Sequence, residues 1–254
     1  MGMNLLALET ATEHCSVALL RSAVDGSHEV LVRRLHAPRQ QTELILPMID
    51  EVLAESGLRL NQLDGLAYSR GPGAFTGVRI AAAVAQGLAL GADLGVVPVS
   101  SLQALAQGAW RATGAEAVLA SFDARMQEVY AGAFLLGAEG SEQAGLMQPQ
   151  TAEVAARPEA LPEALVLAWS AMVDAALSPR RAATAVGAGS GWGSYAEALG
   201  RQLPVAVIAA ELPPDAEDVA LLAAPGLRAG AAVAPELALP VYLRDDVWKK
   251  LPGR

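Results

Sequence analysis

The chain has 254 residues, of which 53% are hydrophobic, enough to build one large domain or two of ordinary size around a sizeable core. Its 18 basic and 27 acidic residues give a net charge of -9, so most of its surface should repel the phosphate backbone of a nucleic acid. The lone cysteine, Cys15, excludes an internal disulfide, and together with the lack of a charged-then-apolar leader segment this favours the cytoplasm.

Three strands are predicted before any helix. They cover residues 4–9, 16–20 and 29–33, and the turn Asp25-Gly26-Ser27 precedes the third. A first helix is then predicted from apolar residues that recur at helical spacing as far as Gly57. Because Pro47 lies within this pattern, the helix should either start close to that residue or be kinked there.

A glycine-rich turn, Gly71-Pro72-Gly73, joins a short strand predicted over 64–69 to a helix predicted over 76–91. Glycine tolerates the backbone angles of such a turn, and Thr76 is the predicted N-cap of the helix. Free backbone N–H groups at a helix N-terminus can bind an anion or a nucleotide, although an ordinary capped helix explains the same residues. Without a Walker-type lysine the pattern favours the capped helix.

The helix over 76–91 carries almost no charge on any face. Positions 77–92 are apolar or small apart from Arg79 and Gln86, so the helix should be covered on more than one side. One cover is its own sheet, and the other is either the rest of the monomer or a partner protein. Because the run is shorter than the ~20 residues that cross a bilayer, no membrane association is expected.

The order of elements restarts after a strand over 95–99 and a helix through Leu102 and Leu105. Strands are predicted over 118–122 and 128–134, and a weakly patterned region over 137–163 follows. The remaining predictions are helices over 164–177, 193–202 and 216–222 and a strand over 205–208. Two halves with similar openings indicate a duplication at the level of the fold.

Three motifs resemble those of the TsaB (YeaZ) family and occur in the same order. They are Leu6-Ala7-Leu8-Glu9-Thr10-Ala11-Thr12 with Cys15-Ser16-Val17-Ala18, then Gly71-Pro72-Gly73-Ala74-Phe75-Thr76-Gly77-Val78-Arg79, then Asp123-Ala124-Arg125-Met126-Gln127-Glu128-Val129-Tyr130; Pro240-Val241-Tyr242-Leu243-Arg244 resembles the closing motif of the family. The resemblance implies an α/β fold of the actin-like ATPase (ASKHA, ribonuclease H-like) type with two similar βββαβα subdomains. We expect them to cover residues 1–105 and 106–254, with the segment from about residue 225 returning to the first.

The same resemblance implies a function. Members of this family are the dimerisation subunit of the bacterial machinery that forms threonylcarbamoyladenosine (t6A) in tRNA. It implies a non-catalytic scaffold or activator, required for threonylcarbamoyl transfer to N6 of the adenosine at position 37 of tRNAs that read ANN codons. The implied partners are a TsaD-like catalytic subunit, a TsaE-like ATPase and, mainly through the complex, tRNA. A homodimer is expected when the partner is absent.

No catalytic or metal-binding residue is assigned. The catalytic relative, TsaD, carries a His-x-x-x-His metal motif after the strand that follows the glycine turn. Ser101 and Leu105 stand at the corresponding positions here, and serine is a weak metal ligand and leucine none. The resemblance implies no resident cofactor, with ATP or ADP at the interface with the partner as the one exception to consider.

The predicted partner interface comes from the helices at about 42–56 and 76–91. Its residues are Leu44, Ile45, Met48, Ile49, Val52, Ile80, Ala81, Val84, Ala85 and Leu88. A charge at Ala81 or Ala85 is expected to prevent co-purification with the partner while the chain stays folded.

A second set of residues is assigned as candidate nucleotide contacts. They are Glu9, Thr10, Gly71, Gly73, Thr76, Asp123, Arg125, Gly187 and Gly189. A turn satisfied by its own side chains is the favoured alternative for Glu9 and Thr10. The polar edge of a strand explains Asp123 and Arg125 equally well, and a tight strand-to-helix turn explains the two late glycines.

Two other functions stay open on the residues alone. An ATP-dependent small-molecule kinase or ATPase of the same superfamily would need a carboxylate base and a Mg²⁺ site, for which Glu9, Asp123 and Glu128 are the candidates. A peptidase is less favoured, because His14 and Cys15 are adjacent on a strand and should point to opposite faces. The basic tail over 244–254, with Arg244, Lys249, Lys250 and Arg254, is either solvated or faces RNA or a partner.

Overall fold

The computed structural model describes residues 2–23, 27–174 and 179–244. Asp25 and Gly26 of the predicted turn, and Lys249, Lys250 and Arg254 of the basic tail, lie outside these residues. The first half of the chain forms a five-stranded sheet in the order β3-β2-β1-β4-β5. Its strands are β1 (Met3–Glu9), β2 (His14–Ser22), β3 (His28–His36), β4 (Gly65–Gly71) and β5 (Val96–Ser100).

Three helices follow the strands of this half. They are α1 (Gln41–Ser56), α2 (Phe75–Ala92) and α3 (Ser101–Thr113), with a 3-10 turn at Leu60–Gln62. Gly57, the predicted end of this helix, is the C-cap of α1, and Pro47 lies inside the helix rather than near its start. The predicted N-cap at Thr76 is wrong: Ala74 occupies the N-cap position without a side-chain hydrogen bond, and Thr76 is already helical.

The second half forms a sheet in the order β11-β10-β6-β7-β8, with β9 also paired to β7. Its strands are β6 (Ala117–Arg125), β7 (Glu128–Leu136), β8 (Met147–Pro149), β9 (Val154–Ala156), β10 (Val186–Ala188) and β11 (Val207–Ala209). Its helices are α4 (Glu163–Val173), α5 (Pro179–Thr184), α6 (Ser190–Gln202) and α7 (Ala216–Arg228), and a second 3-10 turn covers Pro235–Leu237. Two short strands, β8 and β9, therefore lie within the region that shows little pattern in the sequence.

The two sheets share one topology. In the first, β1 pairs antiparallel with β2 and parallel with β4, which pairs parallel with β5. In the second, β6 pairs antiparallel with β7 and parallel with β10, which pairs parallel with β11. The prediction of an actin-like α/β fold with two similar halves is confirmed.

Both faces of the first sheet are covered, because successive side chains of a strand point to opposite sides. Leu6 and Leu8 of β1 pack with α1 and α2, whereas Leu5 and Ala7 pack with α7. α7 therefore returns to the first sheet from residue 216 rather than from about 225. The predicted boundary at residue 105 falls inside α3, which packs on the second sheet and against α7.

In the part of the chain that the structure describes, α2 is the one helix whose length and mean hydropathy would allow it to cross a membrane. Six of its residues are nevertheless buried: Gly77, Val78, Ala81, Ala82, Ala85 and Ala89. Its apolar composition thus follows from its place in the core of the first half.

Candidate functional site

The outward face of α2 carries small residues that are exposed to solvent. Ala83, Gly87 and Gly91 recur at a spacing of one helical turn, and Leu90 beside them is 76% exposed. A Cβ atom built on Gly87 or Gly91 would meet no other atom within 4 Å. This face can therefore admit another helix or loop at close range.

The predicted partner-binding residues lie mainly on the opposite face of their helices. Six of the ten are buried in the core of the first half and offer no surface to a partner: Ile45, Met48, Ile49, Val52, Ala81 and Ala85. Leu44, Ile80, Val84 and Leu88 are partly buried and pack at the edge of the same core. The assignment of the six is wrong, because an apolar stripe at helical spacing marks the face that covers the sheet.

This burial also overturns the proposed interface variants. Ala81 and Ala85 are both 0% exposed, so Ala85→Glu or Ala81→Arg would place a charge in the core. Such variants would unfold the chain and could not report on partner binding.

A late segment of the chain extends the surface around α2. The 3-10 turn at Pro235–Leu237 packs beside the C-terminal half of α2, and an open depression of about 490 Å³ lies between them. It is lined by Ala83, Gln86, Gly87, Leu90, Pro235 and Glu236. Leu237 and Leu239 are also more than half exposed. We call α2 together with residues 235–239 the α2 face.

A stack of three side chains lies at the N-terminal end of α2. The Arg79 guanidinium lies 3.2 Å from the centroid of the Phe75 ring and 4.7 Å from that of Tyr242. Arg79 also donates a 2.8 Å hydrogen bond to the Phe75 carbonyl. Phe75 is 60% exposed and Tyr242 is 47% exposed, so cation–π attraction holds rings together that remain accessible to a partner.

The glycine turn before α2 is closed by the chain itself. The Thr10 hydroxyl donates a 2.7 Å hydrogen bond to the Gly77 carbonyl, and the Ala74 N–H donates one of 2.7 Å to the Ala11 carbonyl. A Cβ atom on Gly73 would lie 2.5 Å from the Ala11 carbonyl oxygen, and one on Gly77 would lie 2.0 Å from that of Thr10. These glycines permit a direct backbone contact with the turn between β1 and β2.

Other predicted nucleotide contacts in the turn face different neighbours. Gly71 has a positive φ of 101°, and a Cβ atom on it would lie 3.1 Å from the Val241 carbonyl oxygen. Thr76 is exposed in the first turn of α2. The candidate nucleotide residues of this region are therefore dispersed around the turn and do not line one open site.

Glu9 ends β1 with a fully buried carboxyl group. Its Oε1 accepts a hydrogen bond from the Ala11 N–H, and its Oε2 has no hydrogen-bond partner among the described residues. Burial is the main cause that raises the pKa of Glu9 to about 7; the nearby Asp215 adds to the rise, and the neighbouring Ser69 side chain and the Ala11 amide limit it. Glu9 is thus a buried carboxyl group with a pKa of about 7 rather than an exposed Mg²⁺ ligand.

The late glycines serve packing in the second half. A Cβ atom on Gly187 would lie 2.3 Å from the Trp192 ring, and one on Gly189 would lie 2.5 Å from the Ser121 carbonyl oxygen. The Trp192 ring nitrogen in turn donates a 3.0 Å hydrogen bond to the Leu119 carbonyl. The turn between β10 and α6 is therefore filled by its own tryptophan.

Asp123 and Arg125 lie together at the tip of the β6–β7 hairpin. Asp123 Oδ1 accepts a 2.8 Å hydrogen bond from the Arg125 N–H, and the two side chains form an ion pair at 3.4 Å. The Arg125 side chain is 79% exposed, so this pair contributes little to stability.

The residues at the metal-motif positions belong to the core. Ser101 is the first residue of α3 and Leu105 packs against the second sheet; both are fully buried. Across residues 2–23, 27–174 and 179–244, no three His, Cys, Asp or Glu side chains lie close enough to share a metal ion.

Burial raises the pKa of the Cys15 thiol to about 11, which makes it a poor nucleophile.

The surface that the late segment adds could not be predicted from the sequence pattern. Leu237, Leu239 and Tyr242 follow the last predicted helix and show no periodicity of their own. The one available signal was the motif Pro240-Val241-Tyr242-Leu243-Arg244, which marks the segment without saying where it packs.

Comparisons with known proteins find similarity to proteins of tRNA threonylcarbamoyladenosine biosynthesis. A family model described as TsaD, tRNA N6-adenosine threonylcarbamoyltransferase, matches residues 35–246. The tRNA threonylcarbamoyladenosine biosynthesis protein TsaB of Escherichia coli is 41% identical over 254 residues, 99% of this chain and 100% of the relative. The TsaB protein of Haemophilus influenzae is 42% identical over 100% of this chain and 99% of its own length. The solved structure of YeaZ from Pseudomonas aeruginosa superimposes with a TM-score of 0.77 at 40% identity, covering 95% of this chain and 100% of that one.

Proposed function

The chain belongs to the TsaB family, and on that premise we propose that it is the non-catalytic subunit of a complex that forms threonylcarbamoyladenosine in tRNA. It binds a TsaD-like catalytic subunit through the α2 face and keeps that subunit active. The names of the full-length relatives favour this function over the small-molecule kinase or ATPase considered from the sequence.

The observation that carries the partner assignment is the open outward face of α2. Gly87 and Gly91 leave room for a neighbouring backbone, and Leu90, Leu237 and Leu239 expose apolar area around them. When association removes apolar area of this kind from water, it contributes about 25 cal/mol per Å² to the free energy of binding. A partner subunit with a complementary apolar helix would cover it.

Two features support a role without catalysis. Leu105, which has no ligand atom, occupies a core position where the catalytic relative is expected to carry a metal-binding histidine. The turn between β1 and β2 packs directly on the glycine turn through Thr10 and Ala11, at a place where a superfamily enzyme would need room for phosphate. The chain's contribution is then to position the partner that carries the chemistry.

A pair of matched variants tests the interface. Gly87→Arg places a long charged side chain on the α2 face, whereas Gly200→Arg makes the same change on α6; at both positions a Cβ atom has nothing within 4 Å. We expect Gly87→Arg to weaken binding to a TsaD-like subunit at least about 100-fold, since buried unpaired charge costs several kcal/mol, while Gly200→Arg binds as the wild type does. Equal binding by both variants in a pull-down and titration would refute this interface.

The same samples test the assignment of catalysis. The chain alone should transfer no threonylcarbamoyl group to tRNA, and the reconstituted complex should do so only when the α2 face is intact. Transfer by the pure chain would contradict the non-catalytic role. A TsaE-like ATPase as a further partner, and ATP or ADP at the interface, stay predictions from the family resemblance.

A further inference from the structure

We infer that residues 239–244 form a strap that couples the α2 face to the tip of the β6–β7 hairpin in the second half. Partner binding at α2 would then change the stability of that hairpin. The response to a partner rests on the proposed function, whereas the coupling itself is a property of the isolated chain.

The strap is fixed to the first half at its start. The Tyr68 hydroxyl donates a 3.0 Å hydrogen bond to the Leu239 carbonyl, and the Val241 N–H donates one of 2.8 Å to the Arg70 carbonyl. Tyr242 then stacks on Arg79 of α2, at the end of the helix that lies beside the glycine turn. The strap is therefore a direct neighbour of the surface that the partner would cover.

The other end of the strap is fixed to the second half by one arginine. Arg244 donates a 3.0 Å hydrogen bond to the Arg125 carbonyl and forms a 2.5 Å ion pair with Glu128. Its guanidinium also lies 5.8 Å from the centroid of the Tyr130 ring. With its side chain only 21% exposed, Arg244 is more shielded than the other arginine of this hairpin, Arg125.

The hairpin tip that Arg244 holds is strained. Arg125, Met126 and Gln127 have φ values of 63°, 55° and 62°, a left-handed conformation that is unfavourable for each residue with a side chain. Such backbone persists only where surrounding contacts hold it. The contacts here include Arg244 from the strap and Asp123 from within the hairpin, and Asp123 is itself hydrogen-bonded to Ser190 and Ser194 of α6. Met126 at the tip is 84% exposed, and its Sδ accepts a 3.9 Å hydrogen bond from the Arg244 guanidinium.

These contacts form a continuous path from one half to the other. Tyr242 and Arg244 are separated by one residue, so a displacement of the backbone at Tyr242 also displaces the backbone at Arg244. Because the tip is strained, losing the hold of Arg244 should release it to a more mobile conformation.

Hydrogen exchange on the isolated chain tests the coupling. Tyr242→Ala removes the ring contacts with Arg79 and Phe75 of α2. Among the described residues, no hydrogen bond or ring contact joins the Tyr242 side chain to the hairpin, so only a strap can carry its effect to residues 125–130. We expect amide exchange there to accelerate about 10-fold in Tyr242→Ala and at least as much in Arg244→Leu, which corresponds to the loss of one supporting contact. Arg201→Leu, which removes an exposed ion pair with Glu197, is the control and should leave these amides unchanged.

The outcomes separate the coupling from the partner assignment. Faster exchange confined to α2 and residues 239–244 in Tyr242→Ala would overturn the strap. With a TsaD-like subunit bound, exchange over 125–130 should slow in the wild type but not in Arg244→Leu, while α2 is protected in both. Failure of the partner to protect α2 would count against the proposed function and leave the result on the isolated chain standing.

Discussion

A buried carboxyl group at the end of β1 gives the protein a pH-dependent stability. Burial raises the pKa of Glu9 from 4.5 to about 7, so the folded chain holds a proton that the unfolded chain releases at lower pH. The contribution of Glu9 to stability is therefore greatest below about pH 4.5, declines as the pH rises, and is lost above about pH 7.

Glu9→Gln should remove this dependence. We expect the variant to exceed the wild type in free energy of unfolding by on the order of 3 kcal/mol above pH 7 and to approach it near pH 4. Urea unfolding across this range measures the difference. Glu43→Gln, at an exposed position in the first turn of α1, is the control. Parallel stability curves for Glu9→Gln and the wild type would show that Glu9 is ionised in the folded chain.

Sequence alone located Glu9 and Thr10 correctly at the end of the first strand, because a continuous apolar run precedes them. It left their role open between phosphate binding and a self-satisfied turn. The geometry of the turn that follows β1 depends on the hydrogen bond from Thr10 to Gly77, 67 residues later in the chain. Such a contact leaves no periodic signal.

At the scale of the element, α2 is a helix with two unlike faces, and two of its glycines show this. Gly77 faces the turn after β1, where a Cβ atom would lie 2.0 Å from the Thr10 carbonyl oxygen. Gly87 faces outward with nothing within 4 Å. The same residue type therefore serves close packing at one end and an open surface near the other.

Alanine substitutions at these glycines should have opposite effects. Gly77→Ala should destabilise the chain by about 2 kcal/mol or more, because the Thr10 turn must move and its hydrogen bond to Gly77 is strained. Gly87→Ala should stabilise it by about 0.5–1 kcal/mol through higher helix propensity. Thermal or urea unfolding of the two variants measures both changes. A similar loss in both would mean that Gly87 is packed as tightly as Gly77.

The two faces also explain why the interface was assigned to the wrong residues. Hydrophobic periodicity identifies the face of α1 that carries Ile45, Ile49 and Val52, but a core and an interface give the same signal. On α2 the pattern is weaker still, because small apolar residues occur all round the helix. Only the position of the sheet shows which face is already covered.

At the scale of the whole molecule, the duplicated topology was predictable and the connections between the halves were not. The order of strands follows from apolar runs and turns, and the second sheet repeats the first with β6 in the place of β1. β8 and β9, with three residues each, are too short to give a pattern. The return of α7 to the first sheet depends on long-range contacts, including the ion pairs of Arg34 with Asp215 and Glu217.

The uncovered α2 face predicts that the isolated chain self-associates. Two copies can bury Leu90, Leu237 and Leu239 against each other, and the gain from apolar area, about 25 cal/mol per Å², favours a dimer at micromolar concentration. Sedimentation velocity should show a dimer for the wild type and for Gly200→Arg, and a monomer for Gly87→Arg. If the dimer and the complex with the TsaD-like subunit use one surface, adding that subunit should replace the dimer with a heterodimer. A dimer that survives Gly87→Arg would place self-association on a different face, and the competition would then be absent.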